Sequence, residues 1–342
     1  MANGKEFFSL LDTRFAVAGE KTVIWLSIYG YSVKLVFAGI VPNEIIRLNL
    51  GLFISSPVEH ADETVFLWED SLECLMASSM VPFDKRHIHY HQGDGYRISL
   101  HSANGRLTAR DETASKSYIC FENGFFTPEA CAAKPFTNEI QWWLHDRFLL
   151  IHGALVGTNG TGALITAPSG RGKSTLALAA LLSGLEYVSE DYTLVTRSGQ
   201  LVGYPTFPTG YLKPDTLEML PAMREHIVCH MAEKDKFIVD LTSFDNFARE
   251  GLEIRALILP VICDSATPQV ISMRSVAPFM DAVSAAAKQV RLNENVQESF
   301  KAIFSRLKAI RSYEMLLTDN PLRNADALRE FLVQLGETYE NE

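Results

Sequence analysis

Over the first 140 residues, apolar and polar side chains alternate in short runs, which is the pattern of strands with one buried face. The runs are residues 31–35, 88–91, 96–100, 106–108 and 117–121. Glycine-containing turns at residues 93–95 and 103–105 separate three of them, as expected for hairpin connections. Helical periodicity in this part is limited to residues 67–79. The pattern predicts a β-meander.

The pattern changes after Pro135, where apolar strands begin to alternate with helical segments. An amphipathic helix is predicted at residues 138–148. Near the C-terminus, periodicity predicts helices at residues 279–290, 296–310 and 324–335, and a strand at residues 313–317. Such alternation favours an α/β domain with a mixed, partly parallel sheet. The length of 342 residues is consistent with two domains, a smaller β-rich one over residues 1–140 and an α/β one over residues 141–342.

Composition and charge narrow the classes of function. Hydrophobic residues make up 47% and charged residues 21% of the chain, the balance of an ordinary globular protein. The net charge of −10 argues against nucleic acid or an anionic membrane surface as a partner, because both are negatively charged. The five cysteines are scattered without a C-x-x-C pair, which argues against a disulfide framework or a zinc cluster. Since the N-terminus lacks the pattern of a signal peptide, the sequence predicts a cytoplasmic protein.

One segment carries clear chemistry: an apolar strand at residues 162–167 runs into a glycine-rich turn and then into a helix. The candidate nucleotide-binding residues of this P-loop (Walker A) pattern are Ser169, Gly170, Arg171, Gly172, Lys173, Ser174 and Thr175. Gly170 and Gly172 allow successive backbone N–H groups to point at one anion, and the helix N-terminus adds positive charge. Lys173 can reach the β- and γ-phosphates, and the Ser174 hydroxyl can ligate Mg²⁺. The segment therefore predicts a nucleotide phosphate site.

Two further features flank the loop. Two adjacent carboxylates, Glu190 and Asp191, lie at the end of the next predicted strand, residues 185–192. A strand returning directly beside the loop would bring one carboxylate to Ser174 to complete a Mg²⁺ site, and a second carboxylate can accept a proton from an attacking hydroxyl. His152 lies upstream in an apolar strand, where a histidine by itself is more often a core residue than a catalyst.

These three features together resemble the catalytic domain of HPr kinase/phosphorylase and of the HPr-kinase-related proteins, whose core is similar to that of phosphoenolpyruvate carboxykinases. That family has a His-Gly pair before a Ser-Gly-x-Gly-Lys-Ser loop and an Asp-Asp pair after the following helix. Here the intervals are 21 residues from His152 to Lys173 and 18 from Lys173 to Asp191, which match the family's. The resemblance covers residues 149–195 and departs from the family at Glu190, where the family has Asp.

The resemblance implies a P-loop kinase that uses ATP and Mg²⁺, with His152, Lys173, Glu190 and Asp191 as catalytic residues. Lys173 and the loop amides would hold the phosphates, and Ser174 with Asp191 would hold Mg²⁺. Glu190 would be the base or positioning group for the acceptor hydroxyl, and His152 would assist that carboxylate or the transferring phosphoryl group.

The implied acceptor is a serine of a small protein or peptide, recognised through the N-terminal domain. Some relatives act in peptide natural-product maturation, including on lasso-peptide precursors, so the expectation extends to a precursor peptide. The resemblance also implies a homo-oligomer. Two alternatives stay open: a kinase for a small hydroxylated metabolite, and a nucleotide-sensing regulatory protein without efficient transfer. The replacement of Asp by Glu190 supports the second alternative.

Overall fold

The chain folds into two compact units, Met1–Pro135 and Phe136–Glu342. The computed structural model describes residues 4–79, 88–93, 95–101, 105–126, 134–168, 170–263, 266–287 and 294–340. Parallel and antiparallel strand pairs occur in the same sheets, and helices pack against them, so the fold is mixed α/β. Within these ranges, no helix is both long and apolar enough to cross a membrane.

The described part of the first unit contains one sheet and three helices. Its elements are α1 (Gly4–Ala16), β1 (Lys21–Ile28), β2 (Tyr31–Ala38), α2 (Glu44–Asn49), β3 (Glu63–Asp70), α3 (Leu72–Ser79), β4 (Ile88–Gly93), β5 (Tyr96–His101), β6 (Arg106–Asp111) and β7 (Lys116–Glu122). The strand order is β1-β2-β3-β7-β6-β5-β4. Strands β4 to β7 form the predicted antiparallel meander, but β3 pairs in parallel with both β2 and β7.

The structure differs from the sequence predictions at two helices of this unit. The sequence pattern missed α1, which buries an apolar stripe in the core with α3 and one face of the sheet: Phe7, Phe8, Leu11 and Phe15. The helix predicted over residues 67–79 is wrong for its first part, because Glu63–Asp70 is strand β3 and only Leu72–Ser79 is helical. Strand β3 is hydrogen-bonded to a neighbouring strand on each side, and this pairing outweighs the local helical preference of its sequence.

A buried ion pair lies where β3, β6 and β7 meet. Glu63 is fully buried and accepts two hydrogen bonds from the Arg110 guanidinium, at 3.2 and 3.0 Å. The Ser117 hydroxyl donates a third at 2.5 Å. Because a buried carboxylate is tolerated only when paired and hydrogen-bonded, this network fixes which strands lie beside β3.

The second unit is built around a larger mixed sheet. Its elements are α4 (Thr137–Leu144), β8 (Phe148–His152), β9 (Ala154–Thr158), β10 (Thr161–Ile165), α5 (Lys173–Leu182), β11 (Glu186–Ser189), β12 (Tyr192–Thr196), β13 (Val202–Pro205), β14 (Thr209–Leu212), α6 (Pro214–Met219), β15 (Ile227–Met231), β16 (Lys236–Asp240), β17 (Leu252–Ile262), β18 (Gln269–Ser272), α7 (Ala277–Ala287), α8 (Glu294–Leu307), β19 (Ser312–Leu317) and α9 (Pro321–Glu340), with 3₁₀ turns at Pro221–His226 and Ala232–Lys234. The main sheet has the order β11-β9-β10-β17-β13-β12-β8, with β19 paired to β17 and β18 paired to β19. Strands β14, β16 and β15 form a separate small sheet.

Most predicted elements of this unit are present. The helices near residues 279–290 and 296–310 and the strand at 313–317 correspond to α7, α8 and β19, although residues 288–290 lie outside the described residues. The helix predicted at residues 138–148 is too long, because α4 ends at Leu144 and Phe148 already begins β8. The last helix is longer than predicted and runs over Pro321–Glu340.

Candidate phosphate-binding and phosphoryl-transfer site

The topology brings two strand ends to the same edge of the sheet. Strand β9 pairs antiparallel with both β10 and β11, so β10 and β11 run in the same direction. The glycine-rich loop follows β10, and Glu190 and Asp191 follow β11. The acidic strand does not pair with the loop strand itself, since β9 lies between them in the sheet. The carboxyl ends of both strands still lie at one edge, which is where ligands bind in open α/β sheets.

The loop has the backbone conformation that its glycines were predicted to allow. Gly170 and Gly172 have φ values of +81° and +86°, in the left-handed region that favours glycine. A Cβ added at Gly170 would meet nothing within 4 Å, so the loop is open on that side. The helix α5 begins at Lys173, immediately after the second glycine. Of the other predicted loop residues, Arg171 is exposed, and Ser169 lies outside the described residues.

Lys173 connects the loop to the acidic pair. Lys173 is only 8% exposed. Its Nζ donates one hydrogen bond to the Glu190 carbonyl and another, at 3.3 Å, to Asp191 Oδ1. An ammonium group held at a helix N-terminus beside open glycines provides positive charge where an anion would dock. The three predicted residues are therefore in direct contact.

His152 reaches the same carboxylate from a different strand. Strands β8 and β12 pair so that His152 lies opposite Tyr192, the residue after Asp191. His152 Nε2 lies 2.6 Å from Asp191 Oδ1, within hydrogen-bond distance. The ring nitrogen Nδ1 is buried and has no hydrogen-bond partner among the described residues. His152 is therefore in contact with the acidic pair, as the sequence motifs lead one to expect.

The two acidic residues differ in accessibility. Glu190 is 2% exposed, whereas the Asp191 side chain is 26% exposed. Nearby, burial together with the charges of Glu190 and Asp191 holds the pKa of Tyr187 well above its usual value. The family resemblance points to Glu190 as the carboxylate that His152 would assist, but the structure brings His152 to Asp191.

Sequence reasoning missed two buried hydroxyls that flank the acidic pair. The Thr193 hydroxyl donates to the Gly153 carbonyl at 2.9 Å, and the Ser189 hydroxyl, which lies 3.3 Å from the same carbonyl, hydrogen-bonds to the Thr193 hydroxyl. Gly153 directly follows His152, so the two hydroxyls tie the chain on both sides of Glu190 and Asp191 to the β8–β9 junction. Isolated Ser and Thr residues in strands carry no distinctive sequence signal for such a role.

Ser174 and Thr175 occupy the first turn of α5, where both are half-buried. Thr175 Oγ1 lies 3.3 Å from Thr216 Oγ1 on α6. The Ser174 hydroxyl and the Asp191 carboxylate are the hard oxygen donors that Mg²⁺ prefers. The described residues contain no group of three His, Cys, Asp or Glu side chains that could hold a metal ion. Since Mg²⁺ is usually held by one or two carboxylates plus substrate phosphates, these two residues have the chemistry of such a site.

Comparison with known proteins adds little to this geometry. The chain matches no family model and no curated protein. Among solved structures, it is similar to the Hpr(Ser) kinase/phosphatase from Coxiella burnetii, with a TM-score of 0.31 and 17% identity over 56% of this chain and 95% of that chain. A likeness this weak does not support a statement about activity, so a functional conclusion depends on the site itself.

Proposed function

We propose that this chain is a Mg²⁺- and ATP-dependent kinase that transfers the γ-phosphoryl group of ATP to a hydroxyl acceptor. The observation that carries the proposal is one set of contacts at the sheet edge. Lys173, at the start of α5, donates a hydrogen bond to Asp191, and His152 lies within hydrogen-bond distance of the same carboxylate. Three residues from separate parts of the sequence thus converge beside a glycine loop suited to an anion.

The nucleotide phosphates would bind over the loop. The backbone N–H groups around Gly170 and Gly172 and the Lys173 ammonium would hold the β- and γ-phosphates, with help from the dipole of α5. Ser174 and Asp191 would hold Mg²⁺, which neutralises charge on the phosphates when bound. The carbonyl of Glu190, by accepting from Lys173, keeps the ammonium at the loop.

The acceptor would meet the Asp191 side chain, because it is more exposed than Glu190. The acceptor oxygen attacks the γ-phosphorus, the bond from that phosphorus to the β–γ bridging oxygen breaks, and ADP leaves. The Asp191 carboxylate has two oxygens, so it can accept the hydroxyl proton at one and still contribute the other to Mg²⁺. His152 orients this carboxylate through its 2.6 Å contact. Glu190 is assigned as a positioning residue that acts on Lys173.

The proposed acceptor is a serine hydroxyl of a small protein or peptide, including a natural-product precursor peptide, recognised through the N-terminal domain. This choice is supported by the family resemblance of residues 149–195. Two alternatives compete with this proposal: the acceptor is a hydroxyl of a small metabolite, or the protein senses nucleotide without transferring a phosphoryl group. The same experiment distinguishes them.

The test follows the transfer of label from γ-labelled ATP and Mg²⁺ to two probe sets, a serine-containing peptide library and a panel of small polyols. We expect label on peptide serine, and we expect Asp191→Asn to slow transfer by about 10²–10⁴-fold, the usual contribution of general base catalysis. Asp245→Asn is the matched control, because Asp245 is exposed and lies near Glu186, at the opposite end of β11.

The other outcomes separate the alternatives. Label on polyols alone would replace the peptide acceptor with a metabolite. If no probe is labelled but MgATP still binds, the protein is a nucleotide sensor and the kinase proposal is wrong. Glu190→Gln should keep most of the rate if Asp191 is the base, and a loss equal to that of Asp191→Asn would reverse the two assignments.

A further inference from the structure

Strand β1 is an outer strand of the sheet in the first unit, and only part of its free edge is covered. Its inner edge pairs with β2 along the whole strand. On the free edge, the Ser27 N–H donates to the Phe53 carbonyl at 2.8 Å, and the Ser55 N–H donates to the Trp25 carbonyl at 2.9 Å. A short segment of the chain itself is therefore paired antiparallel with the C-terminal half of β1.

The N-terminal half of this edge has open backbone groups. Backbone groups of successive residues alternate between the two edges of a strand, so Val23 faces outward like Trp25 and Ser27. No described residue forms a hydrogen bond with the outward N–H and C=O of Val23. Continuing the register of residues 53–55 would place Pro57 opposite Val23, and proline has no N–H to donate. The chain's own segment therefore leaves the edge before Val23.

The side chains on one face of the open edge are apolar and positively charged. Val23 is 42% exposed, and Lys21 and Trp25 share its face because side chains alternate along a strand. Lys34, opposite Trp25 on β2, has its Nζ 5.3 Å from the Trp25 ring centroid. The Lys21 Nζ lies 4.4 Å from the Phe15 ring centroid and donates to the Phe15 carbonyl. Neither lysine forms an ion pair with a carboxylate of the described residues.

These features favour one occupant of the edge. A second copy of β1 is disfavoured, because pairing two such edges would bring the lysines of both copies together. An extended peptide with carboxylates is favoured, since its backbone can bond to the open groups and its charge is opposite to that of the lysines. In antiparallel pairing, a peptide residue opposite Val23 exchanges both hydrogen bonds with it and has its side chain on the lysine face. The carboxylates therefore belong on the residues whose N–H groups face β1.

We propose that the open half of β1, residues 21–25, binds an extended segment of the acceptor peptide that carries carboxylates on alternate residues. The segment adds to β1 as an antiparallel strand, in the same direction as residues 53–55. The identity of the occupant as the acceptor rests on the proposed function, whereas the open edge, its register and its charge do not. The site adds a docking contact in the first unit to the contacts of the serine that receives the phosphoryl group.

Fluorescence anisotropy of a labelled peptide measures binding to the full chain without nucleotide. The probe is the peptide Glu-Val-Glu-Val-Glu-Val-Glu. N-methylation of every Glu removes the donors that would face β1, whereas N-methylation of every Val removes donors that would face away from it. We expect the first modification to weaken binding by at least about tenfold and the second to change it by less than about twofold.

Substitutions in β1 and β2 test the same contacts from the side of the protein. Val23→Pro removes the N–H that the peptide would use, and the bonds to β2 remain because this N–H points outward. It should weaken the binding of the probe about tenfold, whereas the matched control Val23→Thr keeps the N–H and should change it by less than about twofold. Lys34→Gln should weaken binding about two- to fivefold at low salt, and this loss should shrink as salt screens the charge. An unfolding midpoint for each unliganded variant shows that the fold is intact.

The remaining outcomes contradict the docking site. Equal binding of the two modified peptides, or loss of binding for the Val-methylated peptide alone, would overturn it, because the N–H groups facing β1 would then not matter. No binding of the probe to the native chain, or native affinity in Val23→Pro, would overturn it as well. The peptide comparison decides the question even if Val23→Pro does not fold. Because the assay contains no nucleotide, its failure leaves the proposed kinase activity standing, whereas a failure of label transfer would overturn that activity and leave the binding result unchanged.

Discussion

Replacing Thr193 by Val tests whether the buried hydroxyl pair holds the candidate site together. Val keeps the shape of Thr but removes the 2.9 Å hydrogen bond to the Gly153 carbonyl and the bond with Ser189. Thr193 is fully buried, and a buried polar group left without its partner costs about 1–3 kcal/mol. For a unit of this size, a loss of about 2 kcal/mol lowers the unfolding midpoint by about 4–8 °C.

The chain contains a matched control at Thr206. This residue is also fully buried, but its hydroxyl has no hydrogen-bond partner among the described residues. Thr206→Val should therefore leave the midpoint unchanged or raise it, because no satisfied bond is lost. Thr193→Ser keeps the hydroxyl and should recover most of the stability.

Differential scanning calorimetry of the full chain measures the midpoints, and the phosphoryl-transfer assay measures the site. Because Gly153 follows His152, Thr193→Val should also lower kcat more than it raises KM, and Thr193→Ser should restore kcat. Equal midpoints for Thr193→Val and Thr206→Val would refute the reasoning. A normal kcat in a destabilised Thr193→Val would show that the hydroxyls serve folding alone.

Three further changes test other parts of the account. Gly172→Ala forces a Cβ into a left-handed conformation at a cost of about 1–2 kcal/mol, so we expect weaker MgATP binding by calorimetry, and unchanged affinity would contradict the loop geometry. Glu63→Gln removes the carboxylate charge that faces the buried Arg110 and should cost about 3 kcal/mol in urea unfolding, whereas a loss below about 1 kcal/mol would show that the network is not stabilising. Burial by itself would raise the pKa of Asp70, but the hydrogen bond from Arg14, the Ser71 N–H and the guanidinium charge outweigh it, so the pKa is lowered in the folded protein. The ionised carboxylate therefore stabilises the fold at pH values above its unfolded pKa, and this stabilisation is lost as the pH falls through the folded pKa. Asp70→Asn should cost about 1 kcal/mol at pH 7, with the difference from the native chain closing as the pH falls below about 4, and a difference that persists at pH 2 would contradict this sign.

Local sequence patterns predicted the elements around the site well. The glycine spacing and the Lys-Ser-Thr run predicted the turn into α5, and the apolar run before Glu190 predicted strand β11. These elements depend on neighbours in sequence, through glycine conformations and helix propensity, so a single sequence contains the information.

Contacts between distant residues could not be predicted in the same way. The partner of His152 depends on the register of β8 against β12, and the parallel pairing of β3 depends on strands on both of its sides. Such pairings are set by packing across the whole sheet, which no local pattern describes. The hydrogen bonds of the Ser189 and Thr193 hydroxyls also follow from this long-range arrangement.

The most direct test of the central claim is thermal unfolding of the full chain with and without MgATP, in the native protein and in Lys173→Met. Ligand at 100 times its dissociation constant stabilises the folded state by about 2.7 kcal/mol, which corresponds to a shift of about 5–10 °C. The shift should be present in the native chain and in Lys308→Met, whose lysine is exposed and follows α8, and absent in Lys173→Met. Equal shifts in all three proteins, or no shift in any of them, would contradict a nucleotide site at Lys173.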